Sequence, residues 1–263
     1  MSNFIYDNIP SHIFGLTIGN IGHPGVTDTG TYANVEIISD RAAKRTEPYH
    51  YGIKLQDGLE FPMEIYNRHG RYYEMYEVQA IQEWLFGRRE AKYLSILDAD
   101  KDGESYLCWL TEPNVVKLES KVIGWRFKAV CTACYSVTDI VEQRYECADE
   151  YTTIDYYNLS NIDDYVYPEM EIQLLGNTTY IRIENHDDND RAFQILNMKP
   201  GSVIYVNNDL QYMRVVTGGG VDSVFEHFNL NWLRFAAGRN RLNVSGMCEI
   251  TFRTRFKKAV GGY

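Results

Sequence analysis

Apolar side chains recur at helical spacing in one convincing stretch, Glu77 to Arg89. Val78, Ile81, Trp84 and Leu85 fall on one stripe, while Glu77, Gln79, Gln82 and Glu83 face away from it. The pattern predicts an amphipathic helix that plugs one open end of a β-barrel or sandwich, with Trp84 in the core. Gly87 stands where a left-handed C-terminal cap is expected, and Arg88 and Arg89 suit the negative end of the helix dipole. Nothing in this helix asks for catalysis.

Elsewhere the pattern has the period of a strand. Residues 12–70 hold short apolar runs, with strands expected over Val35–Ile38 and Tyr51–Leu55 and turns at His23-Pro24-Gly25 and Gln56-Asp57-Gly58. Leu94–Leu97 and Tyr106–Leu110 flank a hairpin turn, Asp98-Ala99-Asp100-Lys101-Asp102-Gly103. In Gly124–Val130 the apolar Trp125, Phe127 and Ala129 alternate with Arg126 and Lys128, as in a sheet with one side in the core. A second series of strands is expected at Met170–Leu174, Thr179–Ile183, Ala192–Ile195, Val203–Val206, Met213–Val216, Arg241–Val244 and Cys248–Phe256. Strands at this spacing with polar turns indicate a sandwich of antiparallel sheets. The fold expected is mainly β: an N-terminal β-barrel or sandwich domain with one α-helix over residues 1–135, and a C-terminal antiparallel β-sandwich over 168–263.

Charge supplies the expected boundary. The chain of 263 residues has a net charge of -10, yet residues 140–180 alone hold nine acidic groups against one basic. Residues 136–167, acidic and rich in Tyr, therefore read as a linker. The net negative charge argues against a protein that grips nucleic acid through phosphates, so no sequence-specific nucleic acid partner is expected. No run of eighteen apolar residues suggests membrane insertion, and the N-terminal stretch lacks the pattern of a secretion signal. Five cysteines, an odd number, suggest reduced thiols in a cytoplasm.

Candidate chemistry is thin. Asp98 to Gly103 begins like a calcium loop, but its twelfth position is Trp109 where an EF-hand needs a bidentate Glu. Cys131-Thr132-Ala133-Cys134 has redox or zinc spacing, yet it ends a strand and has no second close pair, so both cysteines read as small apolar residues. Asn185-His186-Asp187-Asp188-Asn189-Asp190 groups possible hard-metal ligands but reads as a polar loop tip. Gly218-Gly219-Gly220 reads as a flexible loop, since no Lys-Ser/Thr follows it. No catalytic, cofactor or metal residue is assigned, and no enzyme activity or cofactor is expected.

The order of elements resembles the distal tail proteins of long non-contractile-tailed bacteriophages. In the N-terminal half the resemblance rests on Ala80–Gly87, Lys92–Ile96, Ser105–Leu110 and Gly124–Cys131. In the C-terminal half it rests on Thr178–Asn185, Met198–Asn207, Asn231–Gly246 and the closing alternating strand. Ala237 before Gly238 departs from the family, which often has Pro-Gly there. The resemblance implies a virion structural protein at the tail tip, made and assembled in the host bacterial cytoplasm. It implies a homo-hexameric ring formed by the N-terminal domain, with the C-terminal domain a galectin-like sandwich facing outward. The implied partners are the major tail (tube) protein and the tail-associated tip protein, with tape measure and receptor-binding proteins as further candidates. An acidic lumen would let DNA slide through without sticking. Two alternatives stay open: a carbohydrate-binding module attaching the particle to the host surface, and a β-sandwich glycoside hydrolase with two carboxylates in one cleft. Tyr205, Tyr212, Phe228 and Trp232 are the aromatics that could stack on a sugar, but core packing explains them as well. No binding of simple mono- or disaccharides is expected.

Overall fold

The computed structural model describes residues 3–21, 35–41, 46–55, 58–97, 103–217 and 224–259. Two turn predictions, at His23–Gly25 and Gln56–Gly58, the hairpin turn after Leu97 and the Gly218–Gly220 loop fall wholly or mostly outside them. The chain forms two compact units, residues 1–137 with a C-terminal tail segment, and residues 138–258.

In the first unit, β1 (Asn3–Tyr6) and β2 (Ile9–Pro10) form a hairpin whose turn residues Asp7 and Asn8 are left-handed, a conformation these two residue types tolerate. Next come β3 (Leu16–Ile21), β4 (Val35–Asp40), β5 (Tyr49–Leu55), β6 (Glu60–Asn67), the helix α1 (Met75–Phe86), β7 (Lys92–Leu97), β8 (Glu104–Leu118), β9 (Lys121–Cys131) and β10 (Tyr135–Thr138). One antiparallel sheet has the order β2-β1-β7-β8-β9-β6-β3, with β10 beside β8. The expected alternation holds in β9: Trp125, Phe127 and Ala129 are buried and Arg126 is exposed.

The helix stripe is core, as expected. Val78, Ile81, Trp84 and Leu85 are its buried residues. The Trp84 ring stacks on Phe14 at 4.7 Å and Phe4 at 5.8 Å, and its Nε1–H donates to the Tyr6 carbonyl at 3.0 Å. Burying a Trp is favourable because this polar edge finds a partner. At the N-terminus the Glu77 carboxylate accepts the Glu74 N–H at 2.9 Å and both guanidinium nitrogens of Arg71. The Arg71 hydrogen bonds first, and then the backbone N–H, hold the Glu77 carboxyl at about 2. The C-terminal expectation needs correction. Gly87 has φ -79°, not left-handed, and its N–H caps the Glu83 carbonyl at 3.1 Å. Glycine is required there by space, because a Cβ would lie 2.6 Å from that same carbonyl oxygen. Arg88 pairs with Asp7 at 2.9 Å.

The second unit contains β11 (Val141–Cys147), β12 (Tyr151–Asn158), β13 (Glu169–Leu174), β14 (Ile181–Asn185), β15 (Arg191–Ile195), β16 (Val203–Asn207), β17 (Tyr212–Thr217), β18 (Gly238–Ser245) and β19 (Cys248–Thr254). They make two antiparallel sheets, β11-β19-β13-β16-β17 and β12-β18-β14-β15. Met170, Ile172, Ile250 and Phe252 of one sheet share a core cluster with Ile154, Tyr156, Ile183 and Val244 of the other. The mainly β fold class, with antiparallel sheets and one α-helix among the described residues, agrees with the sequence reading.

Residues 136–167 are not a linker. Most of the segment is built into the sheets: β11 pairs with β19 from Val141↔Thr254 to Cys147↔Cys248, and β12 pairs with β18 from Tyr151↔Ser245 to Asn158↔Gly238. Its acidic groups meet the basic groups of the chain's end. Arg253 pairs with Glu142 at 2.9 Å, Arg239 with Asp155 at 2.8 Å, and Lys257 with Asp164. The charge asymmetry that marks the segment is therefore a docking pattern within one sandwich.

Candidate functional site

In the first unit the candidate site is surface rather than pocket. β4 and β5 pair only with each other among the described strands. Ile37 is 63% exposed and Tyr51 65%, with Ile38 and Tyr49 exposed beside them. A lone two-stranded hairpin is marginal in water, so an arm carrying these side chains asks for a covering surface.

The same unit carries a groove of about 720 Å³ between the residues leading into α1 and the outer ends of β8 and β9. Tyr72, Tyr73, Met75, Val78, Val115 and Val122 supply its apolar lining, and Arg71, Lys117 and Lys121 with the acidic Glu74 its charge. The Tyr73 hydroxyl donates to the Phe14 carbonyl at 3.0 Å, and Lys121 lies over the Tyr72 ring at 4.9 Å. Met75 (80% exposed) and Tyr76 (73%) continue the apolar surface. The outer part of β8 leaves the core as well: Glu112–Val115, Lys117 and Leu118 are exposed. Large exposed apolar side chains gathered in this way mark contact surfaces.

The second unit holds a polar cavity of about 660 Å³ lined by Thr153, Asp155, His186, Asp187, Arg239, Arg241 and Asn243. Cross-strand pairing builds it, since Thr153↔Asn243 and Asp155↔Arg241 are register partners. Its groups satisfy one another. Arg239 donates to both oxygens of Asp155 at 2.8 and 3.0 Å, and Asp187 accepts the Arg241 N–H at 2.6 Å. Asn243 lies 3.0 Å from the Thr153 hydroxyl and 2.6 Å from His186 Nε2. Asp155 and Asp187 thus share a cavity, but each is committed to a cation or a backbone donor, which is a poor setting for a general acid.

The Asn185–Asp190 loop is more than a polar tip. Its middle is a short 3-10 turn, His186–Asp188, with the Asn185 side chain accepting from the Asp187 N–H at 3.1 Å. The buried Asp188 takes the Arg234 guanidinium at 2.8 and 2.9 Å and the Tyr165 hydroxyl at 3.2 Å. Glu184, His186 and Asp190 bring ligand-type atoms within 4.8 Å of one another. However, His186 Nδ1 lies 2.5 Å from Asp190 and Glu184 accepts from Arg182, so these groups already have partners.

The other sequence candidates separate. Phe228 and Trp232 are buried and pack at 4.8 Å, Tyr205 is half-buried beneath Arg214, and Tyr212 is exposed. They form no common platform. Gly103 ends the calcium-like stretch, whose other residues lie outside the described ones; the flanking β7 and β8 are strands, unlike the helices of an EF-hand. Cys131 is buried and Cys134 half-buried. Spacing along the chain hid the true thiol neighbours: Cys108↔Cys131 and Cys147↔Cys248 are cross-strand register partners. Only register, not sequence separation, could have found them.

Residues 1–133 match the family profile described as phage tail protein N-terminal domain, and residues 135–254 the profile described as phage tail C-terminal domain. Among solved structures the chain is similar to the phage SPP1 Dit (gp 19.1) protein, described as a paradigm of the hub adsorption apparatus in Gram-positive-infecting phages. The TM-score is 0.66 at 9% identity, over 97% of this chain and 99% of that one. A chain of the phage P2 baseplate in its activated conformation with Ca matches at a TM-score of 0.60 and 8% identity, over 97% and 98% of the two chains. At this identity the likeness is one of fold. No curated protein matches the chain.

Proposed function

The chain belongs to the family of phage tail proteins defined by these two domains, and from that premise we propose that it is a distal tail protein, forming a ring-shaped hub at the tail tip. The ring contains six copies held together by the first unit, and it joins the tail tube protein to the tail-associated tip protein and the receptor-binding apparatus. Its role is structural rather than catalytic. The observation that carries this reading is the apolar surface of the first unit: an unsupported β4–β5 arm and a groove beside α1, each needing a partner. A second copy offers both at once, and a ring repeats the contact without leaving either surface bare.

The second unit, which carries the polar cavity built on β12 and β18, fits an outward-facing role. Phe228 and Trp232 lie in its core, which weighs against the carbohydrate-binding alternative, and the paired carboxylates of its cavity weigh against a glycoside hydrolase.

Light scattering of the purified protein tests the proposal. The expected mass is about six times the 30.5 kDa chain. Ile37→Asp, on the exposed arm, should leave the fold intact and break the assembly. A wild-type chain that stays monomeric at high concentration, alone and mixed with tube protein, would defeat the ring reading.

A further inference from the structure

We infer that Cys147 and Cys248 are an oxidative modification site: the two thiols close to an intramolecular disulfide when the protein meets a low-molecular-weight disulfide such as oxidised glutathione. The two residues face each other directly across β11 and β19. Partners in an antiparallel pair have Cα atoms about 4.5–5.5 Å apart with side chains on one face, inside the range of about 4.4–6.8 Å that a disulfide spans. Both are fully buried in the sandwich core, so no other thiol competes at close range. The finished bond therefore fits the register that the two strands already have.

Access comes from position. β11 is the edge of its sheet, and Cys147 is its last residue before the loop to β12. Strand ends held on one side open locally at far lower cost than global unfolding. Chemistry favours Cys147 as the attacking group. The hydrogen bond from Cys248 first, and that from Thr152 as well, hold its thiol below the ordinary value despite burial. The partner's thiol is pushed up, because its S–H serves the Cys147 sulfur and because it is buried.

The reaction balances as thiol–disulfide exchange. The Cys147 thiolate attacks one sulfur of glutathione disulfide, whose S–S bond breaks and releases one glutathione thiolate. Cys248, its proton lost to solvent, then attacks Cys147 Sγ in the mixed disulfide and displaces the second glutathione. Two protein thiols are oxidised and one small disulfide is reduced to two thiols. The bond would fasten the edge strand to its neighbour in a particle that leaves a reducing cytoplasm for an oxidising exterior. That setting rests on the phage-tail reading; the thiol chemistry does not, and it is measured independently of ring formation.

The test incubates the full chain with oxidised glutathione, then counts thiols after denaturation and maps the peptides. The count should fall from five by two for each bridge, with a Cys147–Cys248 cross-linked peptide present. Cys248→Ser removes the second step and should trap glutathione on Cys147. The oxidised protein should also unfold at a higher temperature than the reduced one. A count that stays at five overturns the assignment, as does any bridge, Cys108–Cys131 included, that forms while Cys147 and Cys248 remain free. An unchanged unfolding midpoint in the linked protein removes the fastening role.

Discussion

Asp188 is the residue whose role the sequence hid most completely. It sits among five other polar residues in Asn185–Asp190, and such a run reads as solvated loop. In the fold its side chain is 1% exposed, because the 3-10 turn directs it inward to Arg234. Arg234 in turn lies over the Tyr165 ring at 3.9 Å. The distant partners, 46 and 23 residues away in sequence, are what local reading could not supply. Burial pushes the Asp188 carboxyl up, but the hydrogen bonds from Arg234 and Tyr165 outweigh it, and the net shift is downward. A lowered folded-state pKa contributes stability above the ordinary carboxylate value of about 3.9, and that contribution is lost as pH falls through the folded value. Asp188→Asn should therefore cost roughly 3 kcal/mol at neutral pH, the low end for breaking a buried pair, because Arg234 remains partly solvated. It should also flatten the acid limb of stability. Thermal unfolding from pH 2 to 7 checks both, and parallel curves for the two proteins would show that Asp188 does not carry the acid sensitivity.

Single elements were legible where one short segment carries the whole signal. The α1 stripe needs four residues, and all four are buried where the periodicity placed them. Gly87 was correctly singled out but for the wrong reason, since a cap glycine and a crowded glycine look alike in sequence. The distinction has a measurable consequence. At an ordinary φ, Gly→Ala normally stabilises by about 0.4–1 kcal/mol through the unfolded chain. Here the added Cβ would meet the Glu83 oxygen at 2.6 Å, the acceptor of the residue's own cap. Gly87→Ala should therefore destabilise, by about 1 kcal/mol or more, despite a φ that alanine accepts. Denaturant unfolding gives the sign, and a stabilised variant would mean the helix end relaxes freely. β11 and β12 were illegible for the opposite reason. Both alternate in burial, but polar Gln143, Thr152 and Asn158 take inner positions and acidic and Tyr side chains fill the outer face. The apolar signal is therefore weak, and their sheet character depends on strands about a hundred residues downstream.

At the scale of the molecule, the order of strands and helix carried the resemblance, while the boundary between the units could not be read from charge alone. Where the second unit begins decides whether it can fold by itself. Beginning at residue 160, within the segment read as a linker, removes one edge from each sheet. It strips Cys147, Ile154 and Tyr156 from the core cluster. Tyr156 stacks on Phe235 at 4.1 Å and donates from its hydroxyl to Thr254 at 2.8 Å, so its loss opens a cavity and leaves a buried acceptor unpaired. It would also free Arg239 and Arg253 from the carboxylates they meet. A chain of residues 138–258 keeps all of these contacts and has a core of its own, the condition for independent folding. It should unfold in one cooperative transition by both heat and denaturant, whereas residues 160–258 should show a broad transition or aggregate through the bared edges of β18 and β19. Two equally cooperative products would mean that β11 and β12 are appended to a sandwich complete without them.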